Sequence, residues 1–121
     1  MKSDERRKHP RFSFNCKIKK QKETDLTWHE GKMKDISFRG MNFVSKVHYN
    51  KKDVLTVEIH DKDLNIVPST FSVIVMWSRK SKLEKDLYIT GVKYKEFSKD
   101  RQEYLYRVIS DCMSINKKRQ P

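Results

Sequence analysis

The sequence predicts a mainly β fold, namely a six-stranded antiparallel β-barrel followed by one C-terminal α-helix. Between residues 12 and 97, short stretches rich in β-branched and aromatic residues recur at regular intervals, and polar turn segments separate them. After residue 98 the apolar residues change to the three- and four-residue spacing of a helix. Regularly spaced short strands are typical of a small barrel, and the helix is then expected to cover one open end or side.

Clean alternation predicts the first strand, and scattered apolar residues predict the second. Apolar side chains occupy every second position of residues 12–18, "FSFNCKI", which predicts a strand with one buried face. The polar stretch at residues 19–25 predicts a turn. Residues 26–36 form the next predicted strand, and Gly31 is the point where we expect it to kink.

Four further strands complete the predicted barrel. The connection at residues 37–40 separates the second strand from the third. The β-branched and aromatic residues of the fifth strand predict a central position, and Gly91 in the sixth predicts a bend or a close backbone approach. These four strands are residues 41–44, 54–60, 70–77 and 87–97.

The helix has a start signal and one apolar face. Ser98 is a good N-cap residue, and Asp100 and Glu103 place negative charge near the helix N-terminus, where the dipole favours it. The basic stretch at residues 116–121 is predicted to be a frayed tail. The residues at helical spacing are Leu105, Val108, Ile109, Cys112 and Ile115.

Composition restricts the class of protein. The chain has 121 residues, the size of one domain, and 28 basic against 16 acidic residues give a net charge of +12. Such a charge attracts nucleic acid, nucleotides or acidic membrane surfaces without choosing among them. No apolar run is long enough to span a bilayer, and no apolar segment follows the charged N-terminus, so we expect neither a membrane span nor a secretory signal. The expected location is cytoplasmic.

Catalytic and metal-binding patterns are missing from the sequence. Cys16 and Cys112 lie far apart, without partners at metal-ligand spacing, so we expect two small buried apolar side chains. The histidines form no HxxxH or HxH pattern, which disfavours a structural zinc site. The chain also lacks GxSxG and HExxH motifs. We therefore expect neither an enzyme nor a bound metal or cofactor.

Two short motifs point to a function. Arg7 and Arg11 form RxxxR just before the first strand, and Asp35, Ser37 and Gly40 form DxSxxG between the second and third strands. Alone, the second motif predicts a turn in which Asp and Ser bond to the backbone and Gly supplies a positive φ. Together and in this order, the two motifs resemble the PilZ domain family, the bacterial receptor module for cyclic di-GMP.

The resemblance extends over nearly the whole chain. The stretch "VIVMWS" at residues 73–78 is similar to a later strand of the family, and so is "YITGVKY" at residues 88–94, which has a glycine before the aromatic Tyr94. The closing helix fits as well. The resemblance implies a flexible basic arm at residues 1–11, a PilZ-like barrel with its helix at residues 12–115 and a basic tail at residues 116–121.

The resemblance also implies a role for each motif residue. Arg7 and Arg11 would clamp the dinucleotide, since a guanidinium grips phosphate with two hydrogen bonds, pairs with guanine O6 and N7, or stacks on the purine. Asp35 would accept hydrogen bonds from the N1–H and N2–H2 edge of guanine. Ser37 would donate to a phosphate or a base, and Gly40 would let the backbone approach the ligand.

Neighbouring residues extend this predicted site. In the family an arginine directly before RxxxR accompanies a stacked cyclic di-GMP dimer, so Arg6 favours two stacked molecules over one. Arg39 inside the turn either reaches the same anion or is simply solvated. Trp77 either stacks on a base or belongs to the core. His9 either contacts the ligand or stiffens the arm.

Three interpretations remain open. The first is a cyclic di-GMP receptor or adaptor whose ordered arm alters the surface offered to an unidentified downstream protein. The second is a basic small-barrel protein that binds nucleic acid; it needs exposed aromatic residues between basic ones, whereas Phe12 and Phe14 alternate as core residues. The third is a PilZ-like fold that has lost its ligand, which the intact arginines disfavour.

Overall fold

The computed structural model describes residues 12–61, 64, 70–95 and 98–119. Six strands and one helix occur in these residues, so the predicted succession of elements is confirmed. In chain order they are β1 (Phe12–Lys22), β2 (His29–Ile36), β3 (Gly40–Ser45), β4 (Val54–Ile59), β5 (Thr70–Lys80), β6 (Tyr88–Tyr94) and α1 (Lys99–Arg119).

The strands close into an antiparallel barrel in the order β1-β2-β3-β6-β5-β4, which confirms the predicted fold class. Hairpin neighbours pair along most of the barrel. Two pairings between strands distant in sequence, β3 with β6 and β1 with β4, complete it. Closure gives every strand two neighbours and leaves no edge strand. Among the residues that the structure describes, no helix has the length and apolarity required to cross a membrane.

Two predicted boundaries near the start of the barrel are wrong. β1 continues to Lys22, through the predicted turn, because Lys20 occupies an inward position and pairs with Val57 of β4. A lysine at an inward position breaks the apolar pattern without breaking the strand. β2 begins only at His29, and Leu26 before it is 94% exposed.

The predicted kink at Gly31 is also wrong. Gly31 pairs regularly with Ile18 of β1, and the irregularity of β2 lies between Met33 and Asp35. A bulge between paired strands bends the chain and re-aims the side chains beside it. This irregular segment ends at Asp35, the first residue of the DxSxxG motif.

The later strands differ from prediction in length and in the role of a glycine. β5 runs to Lys80, beyond its predicted end at Trp77, and β6 ends at Tyr94 rather than at residue 97. A close approach does occur at Gly91, but to a side chain, because a Cβ there would lie 2.5 Å from Cε2 of Trp77.

The core fills the barrel and extends to one face of α1. Alternate residues of the strands are buried, and both cysteines, Cys16 and Cys112, are buried as predicted. Ser98 caps the helix as predicted, since its Oγ accepts a hydrogen bond from the amide of Arg101. The helix continues to Arg119, so the predicted tail from residue 116 is helical over its first part. The buried helix residues are Leu105, Val108, Ile109 and Cys112.

The helix covers the barrel end at which β5 begins and β6 ends. The ring of Phe71 lies 5.6 Å from that of Tyr94 and 5.5 Å from that of Tyr104 on α1. The ring of Phe38, in the turn between β2 and β3, lies 6.1 Å from that of Tyr106. The DxSxxG turn therefore lies at the barrel end that α1 covers.

A lysine is buried inside the barrel. The side chain of Lys20 is fully buried, and its Nζ donates a hydrogen bond of 3.0 Å to the backbone carbonyl of Glu30. The same Nζ lies 5.8 Å from the ring centroid of Phe43 and 5.6 Å from that of Tyr49. Burial lowers the pKa of Lys20 to about 8, because the charged form loses its hydration.

Candidate ligand site

The structure describes one half of the predicted site. Arg6, Arg7, His9 and Arg11 lie outside the described residues. Asp35 lies in β2, Ser37 and Arg39 form the turn, and Gly40 opens β3. The position of the arm relative to this turn stays a prediction.

The start of β1 lies beside the turn. Phe12, which is covalently bonded to Arg11, pairs with Ile36, and Ser13 pairs with Asp35. Paired strands lie about 4.8 Å apart. The barrel therefore begins one strand spacing away from the motif carboxylate.

Ser37 organises the turn through its own hydroxyl. Its side chain is buried, and Oγ accepts hydrogen bonds from the amides of Arg39 at 3.1 Å and Gly40 at 3.3 Å. The amide of Ser37 donates to the carbonyl of Gly40 at 2.9 Å. The hydroxyl of Tyr94, from β6, donates to the carbonyl of Ser37 at 2.9 Å. These hydrogen bonds hold the shape of the turn and tie it to β6.

Gly40 is required by packing rather than by a positive φ. None of the described glycines has a positive φ, so that part of the expectation is wrong. A Cβ on Gly40 would lie 1.9 Å from the carbonyl oxygen of Val92, a separation that real Cβ atoms do not show. The glycine allows β3 to approach β6 closely at the point where the turn ends.

A row of outward-facing residues crosses the barrel from Asp35. Asp35 pairs with Asn42 of β3, Asn42 with Gly91 of β6, and Gly91 with Trp77 of β5. With Ser13 of β1 at its near end, we call these five residues the surface row. Three strand spacings separate Asp35 from Trp77, at most about 14 Å along the sheet.

Asn42 is a member of the row that the sequence patterns did not identify. Its Nδ2 donates a 3.1 Å hydrogen bond to Oδ2 of Asp35, which orients the carboxylate. Its Oδ1 is buried and makes no hydrogen bond with any residue that the structure describes. A buried amide oxygen without a donor is costly, so the position favours a further N–H group at this point. The available signal was the alternation of Asn42 between the buried Met41 and Phe43, which predicts an outward side chain.

Trp77 closes the other end of the row. It is 37% exposed and packs on Gly91, so the alternative that placed it in the core is wrong. The guanidinium carbon of Arg79, two residues further along β5, lies 4.8 Å from the centroid of its ring. Arg79 was not predicted either, because in a chain this basic nothing in the sequence distinguishes it from its neighbours.

The surface row offers two kinds of contact. The carboxylate of Asp35, which Asn42 orients, is an acceptor suited to paired N–H donors. Trp77 offers an aromatic face backed by a cation, and Arg39 on the turn adds a second guanidinium. Between them the ring of Trp77 lies over Gly91, an approach that is possible because Gly91 carries no side chain. A planar heterocycle with N–H donors and a negative charge would satisfy both ends.

Comparison with known proteins gives evidence on the family and the fold of the chain. The family model described as PilZ domain matches residues 5–111 of the chain. That range includes both sequence motifs and reaches into α1. No curated protein sequence matches the chain closely enough to count as a relative.

Solved structures share the fold. The PilZ domain with c-di-GMP of YcgR from Escherichia coli matches with a TM-score of 0.76 at 11% identity, over 93% of this chain and 95% of that chain. The K. pneumonia MrkH–c-di-GMP complex matches with a TM-score of 0.74 at 15% identity, and the Bacillus subtilis inhibitor of motility, MotI/DgrA, with 0.68 at 14%. Each of these two matches covers 95% of this chain, which spans 56% of MrkH and 53% of MotI/DgrA. Identities this low establish the fold alone.

Proposed function

Because the chain belongs to the PilZ domain family, we propose that it is a receptor for cyclic di-GMP and not an enzyme. The observation that carries the proposal is the surface row, in which Asn42 orients the carboxylate of Asp35 one strand away from the start of β1. Two solved structures of the same fold are complexes with c-di-GMP, which supports the choice of dinucleotide.

The ligand is held between the basic arm and the barrel surface. Arg7 and Arg11 clamp its phosphates or the O6 and N7 edge of a guanine. Asp35 accepts from the N1–H and N2–H2 edge of a guanine, and Asn42 keeps that carboxylate in place. Trp77 offers its face to a base.

The turn residues of the motif have supporting roles. Ser37 and Gly40 form the floor of the turn; the expected donation from the Ser37 hydroxyl to phosphate or base is wrong, because this buried hydroxyl bonds to the backbone of Arg39 and Gly40 and shapes the turn instead. Arg39 and His9 are secondary contacts for the same anion. Arginine is preferred to lysine for these roles because only its planar fork binds phosphate through two parallel bonds.

Arg6 extends the proposal to a stacked dimer of cyclic di-GMP. A second pair of guanines needs an additional cationic face, and Arg6 directly precedes the clamp. A titration in which the wild type binds two molecules and the Arg6→Ala variant binds one would support this role. A stoichiometry of one in the wild type would contradict it.

The output of such a receptor is a changed surface. Ordering the arm over the nucleotide brings its charges to one position and alters what a downstream protein meets in the cytoplasm. The free-energy cost of ordering the arm lowers the apparent affinity for the nucleotide. A mutation that orders the arm before binding would therefore raise that affinity.

Isothermal titration calorimetry tests the clamp. We expect Arg7→Ala, Arg11→Ala and Asp35→Ala each to weaken cyclic di-GMP binding by about tenfold or more, as for loss of a charge-assisted hydrogen bond. Lys8→Ala removes one positive charge from the same arm outside the motif, and we expect it to change affinity less than about threefold. Absence of binding in the wild type, or equal affinity in all variants, would refute the proposal.

One observation favours the nucleic-acid alternative. Trp77 is an exposed aromatic residue with the guanidinium of Arg79 beside it. Proteins that bind single-stranded nucleic acid combine aromatic and arginine side chains in this way, because both stack on bases. Filter binding of single-stranded oligonucleotides across salt concentrations separates the two functions. High affinity with a steep salt dependence, together with no response to cyclic di-GMP, would decide for nucleic acid.

A further inference from the structure

A groove separate from the candidate ligand site runs along the outside of the barrel. Its volume is about 590 Å³, and β1, β2 and the residues after β3 form its walls. The hairpin between β5 and β6 closes it on one side. The side chains that give the groove its charge and its apolar surface are Lys17, Trp28, Lys32, Lys46, Val47 and Leu87.

The groove carries an excess of positive charge. Lys17 and Lys32 are exposed and face each other as a pair across β1 and β2, and Lys46 follows β3. Their ammonium groups form no ion pair with any residue in the described part of the chain. Of the two acidic residues in the lining, Glu84 already bonds to Lys34 at 3.9 Å, whereas Glu30 has no such partner among the described residues.

The same groove is apolar between its lysines. Trp28 is 41% exposed, and Val47 and Leu87 are half-buried beside it. The loops at this barrel end also expose Leu26 and Leu83 almost completely. Monomeric proteins rarely expose large apolar patches. Large apolar side chains grouped around a concave surface therefore indicate an interaction site.

We propose that this groove binds a short acidic peptide segment of a partner protein, with bulky apolar side chains on Trp28, Val47 and Leu87. Carboxylates of the segment lie against Lys17, Lys32 and Lys46, whose ammonium groups form no ion pair in the described part of the chain. The net charge of +12 would speed the approach of an acidic partner. The proposal does not depend on nucleotide binding.

Charge and apolarity together exclude the other occupants. A nucleic-acid strand carries a charge on every nucleotide and would place phosphates against the apolar side chains of Trp28, Val47 and Leu87. A second copy of a chain with 28 basic and 16 acidic residues brings more positive charge than negative to a groove that is already positive. An acidic, apolar peptide complements both features at once.

Peptide display tests the proposal on the full chain. We expect random displayed peptides selected on the wild type to be enriched in sequences that combine several Asp or Glu residues with Trp, Phe or Leu. Fluorescence anisotropy of the labelled selected peptides should show about tenfold weaker binding to Trp28→Ala, the central aromatic anchor. Charge reversal in Lys32→Glu should weaken binding by at least about threefold.

Matched controls lie on the helix, outside the groove. Lys99→Glu changes the net charge by the same amount, and Met113→Ala shortens an exposed apolar side chain; both should keep wild-type affinity. No enrichment, or binding that Trp28→Ala and Lys32→Glu leave intact, would overturn the proposal. Single-stranded oligonucleotide that competes with the peptides, and whose own binding falls in both groove variants, would overturn it in favour of nucleic acid.

Discussion

Replacing Lys20 by methionine is expected to stabilise the barrel at neutral pH. The amine of Lys20 is fully buried and makes one hydrogen bond, to the carbonyl of Glu30. A charged group in such a place loses its hydration, and methionine fills a similar volume without charge. The variant removes the desolvation penalty and the hydrogen bond together.

The expected size follows from the pKa of Lys20. Burial lowers that pKa from 10.5 to about 8, and each pKa unit corresponds to about 1.4 kcal/mol, so the penalty at pH 7 is about 3.5 kcal/mol. The lost hydrogen bond offsets about 1 kcal/mol. The lost contacts with the rings of Phe43 and Tyr49 offset about 0.5–1 kcal/mol. We therefore expect the variant to be more stable by about 1–2 kcal/mol at pH 7.

The size of the stability gain from Lys20→Met depends on pH. Between about pH 8 and 10.5 the unfolded chain binds the Lys20 proton more tightly than the folded chain. The contribution of Lys20 to the free energy of unfolding therefore rises with pH in this window. The advantage of the methionine variant should shrink as pH rises from 8 to 10. Measurements stop there because burial raises the pKa of Tyr49 to about 12, which lowers stability above pH 10.

Urea unfolding followed by circular dichroism at pH 7, 8, 9 and 10 measures the effect. Lys19→Met is the control. It makes the same substitution as Lys20→Met at the preceding residue of β1, where the lysine is exposed. We expect the control to follow the wild-type pH dependence within about 0.5 kcal/mol. A Lys20→Met profile parallel to that of the wild type would show that the amine is hydrated, and the reasoning from burial would fail.

Three further substitutions test the packing around the site. Gly40→Ala should destabilise the barrel by about 3 kcal/mol or more, since its Cβ would collide with a β6 carbonyl; Gly31→Ala, where the nearest atom would be 3.2 Å away, should cost less than about 1 kcal/mol in the same denaturation assay. Tyr94→Phe removes the hydroxyl that anchors the DxSxxG turn, and thermal unfolding should report a loss of about 1 kcal/mol. Ser98→Ala should lower stability by about 1 kcal/mol through loss of the helix cap, whereas Ser110→Ala, on the exposed face of α1, should not; equal effects would contradict the capping role.

Local patterns predicted the fold well where the chain alternates cleanly. Ser98 was identified as a cap because a cap depends on its immediate neighbours. The end of β1 was misplaced because Lys20 faces inward, and only the neighbouring strands can make that position a buried one. The extra length of β5 has the same origin, since pairing with β6 keeps its polar end extended.

The candidate site also has one part that local sequence patterns identified and another that they did not. Asp35, Ser37 and Gly40 were found from their spacing within one turn. Asn42 and the exposure of Trp77 were not, because their positions depend on the register of β3 against β6 and of β6 against β5.

By itself the sequence determined the number and order of the strands, the capped amphipathic helix and the residues of the two motifs. Each of these follows from side chains within a few residues of one another along the chain. Only the tertiary structure decided that Asp35, Asn42, Gly91 and Trp77 form one row, and that Gly40 is needed where two strands approach. Barrel closure joins strands that are distant in sequence. Which residues become neighbours then depends on the register between the two strands, and neither strand's own sequence sets that register.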